Sequence, residues 1–175
     1  HHISLKKMRI KMKKLMFFLL MFSTLQSCNN HKSLQPSFAV LDGKDTGINF
    51  RNDLESFGDF NMFKYMYFFN GAGVGCGDFN NDGWIDLIFA SNQGSNKLYL
   101  NQGGLKFVDK TLDANIQFDK AWNTGVSVID INGDGLLDIY VCRVGNYDKL
   151  KSRNQLLVCK KIKDGVPYYE DMAHE

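Results

Sequence analysis

At 175 residues the chain has room for one domain of ordinary size. Hydrophobic residues make up 44% and aromatic residues 13%, enough for a packed core, while 16 Gly against 2 Pro suits tight turns between strands. The formal charge of +2 is unevenly placed: six of the 21 Lys and Arg precede Cys28 with no acid among them, leaving 15 basic against 19 acidic residues, a balance of −4, and no basic stripe that would mark a nucleic-acid-binding protein.

Residues 1–28 read as a targeting segment. Lys6, Lys7, Arg9, Lys11, Lys13 and Lys14 form a positive stretch. Leu15 to Leu25 is an 11-residue apolar run, too short to span a bilayer comfortably as a helix. It ends in Leu25-Gln26-Ser27-Cys28, which resembles the lipobox of bacterial lipoproteins. Gln26 stands where a small residue is usual. The resemblance implies lipidation of Cys28 and an anchor in the bacterial outer membrane, on its periplasmic or surface face. An ordinary secretory leader, or a short anchor with an incidental cysteine, are the alternatives. Met8 and Met12 are candidate starts, so residues 1–7 read as untranslated sequence. Cys76, Cys142 and Cys159 lie outside any CxxC or Cys/His cluster. Cys76 and Cys142 sit in apolar runs and read as small buried hydrophobes.

Residues 29–46 are polar and turn-rich and read as a tether, with order beginning near Gly47. The lead-in, residues 47–72, contains Tyr65-Met66-Tyr67-Phe68-Phe69. This run predicts one strand, paired either with a distant unit or within the first unit's own neighbourhood.

From Gly73 the chain repeats. Residues 73–92 align with 125–144 without a gap, with seven identities in 20 positions. Residues 95–111 have a weaker echo in 153–173, and Gly145–Ser152 is an insertion. A period near 50 residues is the mark of propellers and solenoids. The first unit, 73–112, predicts strands over Gly73–Phe79, Ile85–Ala90, Asn96–Asn101 and Lys106–Lys110. The second, 125–173, predicts Gly125–Ile129, Leu137–Val141, Gln155–Cys159 and Tyr168–Asp171. No run holds a 3.6-residue period beyond about two turns, so helices are not expected. The fold class is therefore all-β: two four-stranded antiparallel units, a partial β-propeller. Propellers use about 4–8 blades. The expectation is a fragment of a longer propeller, with a raw face where a third blade packs.

Each unit carries Asp-x-Asn-x-Asp-Gly-x-x-Asp in its first hairpin, 52 positions apart. Three carboxylates in nine residues repel one another unless a cation neutralises them, and oxygen-only ligands point to Ca²⁺. The expected first set is Asp78, Asn80, Asp82, the Trp84 carbonyl and Asp86. The second is Asp130, Asn132, Asp134, the Leu136 carbonyl and Asp138. An EF-hand needs Glu at position 12, and Phe89 and Val141 stand there. Plain hairpin turns of Asn, Asp and Gly are the simpler alternative.

GDFNNDGWIDLIFASN and VIDINGDGLLDIYVC resemble the VCBS or FG-GAP repeats of bacterial surface proteins, related to the integrin α-chain propeller. FKYMYFFNGAGVGCGDFNNDG and NKLYLNQGG also resemble the N-terminal part of Bacteroidetes lipoproteins that often end in an ASPIC and UnbV domain. The resemblance covers about residues 47–173. It implies a calcium-stabilised propeller, exported and used for binding a surface glycan or protein. Closing blades and a C-terminal domain are not in this sequence.

No catalytic constellation stands out. His1, His2, His31 and His174 all lie near the ends, outside the repeats. GAGVGCG (71–77) lacks the Lys-Ser/Thr of a phosphate loop. Trp122, Tyr147 and Tyr67 are candidate sugar platforms, with core packing as the other role. A polysaccharide lyase whose catalytic residues lie in other blades is the alternative, and a structural spacer a third reading.

Overall fold

Short apolar runs broken by Gly and Asn do become strands. The computed structural model describes residues 38–58, 60–116, 121–148 and 150–173. Leu41–Glu175 form one compact unit, and of the unit before it, His1–Val40, only residues 38–40 are described. The targeting segment, Cys28 and all four histidines lie outside the described residues.

A one-turn helix, α1 (Gly43–Thr46), comes first. Asp42 caps it by accepting the Lys44 N–H, and Gly47 closes it at φ 84°. Thr46 is buried. Order therefore begins before Gly47, and the tether expected over 29–46 is structured at its end. The sequence hid this because Asp, Gly and Lys read equally well as linker.

Two four-stranded antiparallel sheets follow. The first, in order β1-β2-β3-β4, is β1 (Gly73–Gly77), β2 (Asp86–Ala90), β3 (Lys97–Asn101) and β4 (Phe107–Asp109). The second contains β5 (Asn123–Ile129), β6 (Asp138–Arg143), β9 (Gln155–Lys163) and β10 (Val166–Asp171), in order β10-β9-β6-β5. The insertion forms its own small hairpin, β7 (Asn146–Tyr147) with β8 (Leu150–Lys151). The eight expected strands are present, with ends shifted by a few residues.

The core lies between the sheets. Ile88, Leu98 and Leu100 of the first meet Ile139, Val141, Leu157, Cys159 and Tyr169 of the second, with Val126 and Val128 packed against them. Each such large aliphatic side chain contributes about 1.5–3 kcal/mol by burial. Glycine lets β1 and β5 approach closely. A Cβ on Gly73 would stand 2.9 Å from the Val126 nitrogen, and one on Gly75 would stand 2.6 Å from Val128 Cγ2.

The repeat register gives each sheet two unlike faces. Gly73, Gly75, Ile88 and Ala90 face the second sheet; their counterparts Gly125, Ser127, Tyr140 and Cys142 lie on that sheet's far side. The first sheet's far side carries Val74, Cys76, Leu87 and Phe89. Phe50 stacks on Phe89 at 4.8 Å, and Tyr99 Oη donates to Asn49 Oδ1 at 2.7 Å. Cys76 is exposed and Cys142 half-buried, contrary to expectation, because both point away from the shared core; Cys159 is buried.

The lead-in strand expected over Tyr65–Phe69 is instead a run of turns. The N–H groups of Tyr65, Phe68 and Asn70 donate to the Asn61, Tyr65 and Tyr67 carbonyls, three to four residues back, as turns do and a strand does not. The turns gather Phe60, Tyr65 and Phe68 around Trp122, which is buried, in a second cluster. Trp122 stands edge-on to Phe60 at 4.9 Å. Tyr147 packs on Tyr65 at 4.8 Å, while Tyr67 is 56% exposed.

Gly73→Ala should destabilise the protein by about 1–3 kcal/mol through overpacking, read as a lowered urea midpoint. Asp109 supplies a pH signature. Burial alone would raise its carboxyl, but the Lys97 ammonium and the Thr111 hydroxyl and N–H outweigh this and hold it below its ordinary value. A lowered folded pKa gives stability present above the unfolded value, about 3.9, and lost as pH falls through the folded one. Asp109→Asn should therefore flatten the pH dependence of the urea midpoint below about pH 4.

Candidate functional site

Both acidic loops join the first two strands of a sheet, and both lie at the same end of the two sheets. Their hydrogen bonds match nearly atom for atom. Asp78 accepts the N–H groups of Asp82 at 2.9 Å and Gly83 at 2.8 Å. Asp130 accepts those of Gly133 at 2.8 Å, Asp134 at 3.2 Å and Gly135 at 2.9 Å. Asn80 and Asn132 each donate to the Asp two residues on, at 2.9 Å in both loops. Asp82 accepts the Trp84 N–H at 2.8 Å, and Asp134 that of Leu136 at 2.9 Å. Gly83 and Gly135 sit at φ 89° and 82°, where a side chain is strained.

The ninth position behaves differently from the other acids. Asp86 and Asp138 are fully buried. Asp86 Oδ2 accepts the Phe79 N–H at 2.9 Å and Oδ1 the Asn101 N–H at 2.8 Å. Asp138 repeats this with Ile131 at 3.0 Å and Cys159 at 2.8 Å. Each carboxylate thus ties the start of its loop to the third strand of its sheet. Burial pushes the Asp86 carboxyl up, and the Asn101 and Phe79 N–H bonds oppose the rise. In the second loop, the Gly135 N–H, with those of Gly133, Asp134 and Asn132, holds the exposed Asp130 carboxyl below its ordinary value despite some desolvation.

The two loops also touch. Asn81 Nδ2 donates to the Gly135 carbonyl at 3.3 Å, and Asn80 Nδ2 to the Gly165 carbonyl in the β9–β10 turn at 3.1 Å. Among the described residues, no Lys, Arg or His forms an ion pair with any of the six loop carboxylates. Nor do three or more His, Cys, Asp or Glu side chains among them converge as a metal-holding group. The carboxylates are turned to backbone N–H groups. The donor set is still oxygen-only, and several carboxylate oxygens accept one N–H where each has capacity for two bonds.

The FG-GAP-like repeat family matches residues 78–141, from the first loop's opening Asp into β6. The match begins at one acidic loop and takes in the second. No curated protein matches the chain.

Sequence reasoning missed a polar network at the other end of the sheets. Asn92 Nδ2 donates to the Gly71 and Asn123 carbonyls at 2.9 and 2.7 Å, and its Oδ1 accepts from Asn52 at 2.7 Å. Asn123 Nδ2 returns a bond to the Ser91 carbonyl at 2.6 Å. Asn96 accepts the Ser91 N–H, and Asn154 accepts the Arg143 N–H at the equivalent place in the second unit. That last pair was visible in the alignment of Ser95-Asn96 with Arg153-Asn154, but Asn there reads first as a turn residue.

Asp86→Ala should orphan the Phe79 and Asn101 N–H groups and cost about 2–5 kcal/mol, measured by urea unfolding. The loss is expected to exceed that of Asp130→Ala, whose partners are open to water.

Proposed function

We propose that this chain is part of a calcium-stabilised propeller of FG-GAP or VCBS type, carried by an exported lipoprotein and used to bind a surface glycan or protein. The observation that carries the reading is the pair of acidic loops, equivalent in hydrogen bonding and adjacent at one end of the sheets. Three carboxylates in each loop lack a protein cation among the described residues, and Ca²⁺ is the hard cation that oxygen donors select. Asp78, Asn80, Asp82 and Asp86 would hold one ion with the Trp84 carbonyl. Asp130, Asn132, Asp134 and Asp138 would hold the other with the Leu136 carbonyl. Binding would turn the Asp82 and Asp134 carboxylates away from the Asn amides. The ion's part here is to neutralise charge and stiffen the hairpin.

The propeller reading is supported by the two-faced sheets. Ser127, Ile129, Tyr140 and Cys142 repeat the first sheet's mating positions on the second sheet's far side, and Ile129 is 51% exposed. A further unit of the same type fits that face. The lipobox-like Leu25–Cys28 and the lead-in resembling ASPIC and UnbV-type lipoproteins support attachment through lipid on Cys28 at the outer membrane.

Terbium tests the metal sites. Trp84 belongs to the first loop, so the folded chain should show Trp-sensitised terbium emission, displaced by Ca²⁺ and mostly lost in Trp84→Phe. Calcium at a hundredfold excess over Kd should add about 2.7 kcal/mol per site to unfolding stability. Folded protein with neither emission nor a calcium-dependent rise in the urea midpoint would sink the reading.

A further inference from the structure

A cavity of about 350 Å³ opens at the end of the sheets opposite the acidic loops. Its apolar lining is Phe57, Trp122 and Leu150; its polar lining includes Glu55, Ser56 and Gln93. We propose that this cavity binds the terminal sugar of a neutral glycan. The proposal deepens the binding-module reading and rests on it.

The hydrogen-bonding capacity of the lining selects the ligand. Trp122 is 2% exposed, and its indole N–H has no acceptor among the described residues. Among the described residues no buried side-chain nitrogen or oxygen is sealed from solvent without a partner, so this N–H keeps contact with solvent, and we assign that contact to the cavity that Trp122 lines. Gln93 is held in place by the Glu55 backbone: Oε1 accepts its N–H at 2.6 Å and Nε2 donates to its carbonyl at 2.8 Å. One amide N–H and one lone pair of Gln93 remain. The Glu55 carboxylate and Ser56 hydroxyl have no partner among the described residues. The cavity therefore offers three donors, from Trp122, Gln93 and Ser56, beside acceptors from Gln93, Glu55 and Ser56.

That mixture fits hydroxyl groups, each of which both donates and accepts. A phosphate would meet the Glu55 charge with no Lys or Arg among the described lining residues. An ammonium group would leave the Trp122 and Gln93 donors unmatched. Phe57, 45% exposed, supplies the apolar surface that the C–H face of a sugar ring covers. The volume lies at the low end of the ligand-pocket range of about 300–1,000 Å³, which suits a terminal sugar more than a chain laid along a groove.

Saturation-transfer NMR on the full chain with calcium present tests this, using maltotriose, cellotriose, chitotriose and mannotriose in turn, and trilysine as the cationic comparison. The expected result is transfer to the terminal ring of at least one trisaccharide. Its Kd should weaken tenfold or more in Glu55→Gln and in Trp122→Phe, which keeps a ring but removes the N–H. Phe63→Ala, outside the cavity, should leave it unchanged. Folded protein that transfers saturation to none of the four sugars overturns the proposal, as does binding indifferent to Glu55→Gln, or trilysine binding in place of sugar. Terbium emission from a calcium-free portion of the same preparation separates the two readings: emission without sugar binding removes the cavity's assignment and leaves the calcium loops standing.

Discussion

Asp86 and Asp138 each hold a buried carboxylate against two backbone N–H groups from different parts of the chain. Everything around the loops depends on that clamp. The second loop residue, Phe79 or Ile131, is fixed to the loop's last residue, so the loop closes. The third strand's Asn101 or Cys159 is fixed to the same side chain, so the loop is also set against the sheet. An apolar residue at this place would leave two donors unsatisfied, at about 1–3 kcal/mol each. A neutral amide has only one acceptor oxygen. The carboxylate is the side chain whose two oxygens can serve both donors, and burial of its charge is the energetic cost, visible in the raised Asp86 carboxyl.

With the loops closed, register controls how the sheets mate. The first sheet presents glycines where the second presents Val126 and Val128, and the mismatch in size brings β1 and β5 together. The units repeat in register, so the second sheet's far side carries the same positions that the first uses for mating. The contact between the two sheets joins unlike faces, so it is heterologous, a head-to-tail geometry that does not by itself fix a number of units.

The loops and the eight sheet strands were legible because their signals are local. Gly83 and Gly135 stand where positive φ is needed, and the acids follow at fixed spacing. The lead-in was not legible for the opposite reason. Tyr65 to Phe69 looks like a strand to any window that sees only those residues. Its actual conformation is fixed by Trp122, far along the chain, which draws Phe60, Tyr65 and Phe68 to one centre. Cys76 and Cys142 looked buried because apolar runs suggest two covered faces, whereas each lies on a face that the shared core does not use. In the loops the residue types were readable, but their partners were not. Nothing in the spacing says that position nine reaches Asn101 or Cys159.

The two ends of the sheets differ in chemistry but share their strands. β2 leaves the first acidic loop at Asp86 and ends beside Asn92 and Gln93. β5 begins beside Trp122 and ends at the second loop. Five to seven residues of strand place these ends roughly 17–23 Å apart. Asn92 and Asn123 bond across from one sheet to the other, which fixes Gln93 relative to Trp122. The clamps at Asp86 and Asp138 and the cavity wall thus stand at opposite ends of the same paired strands.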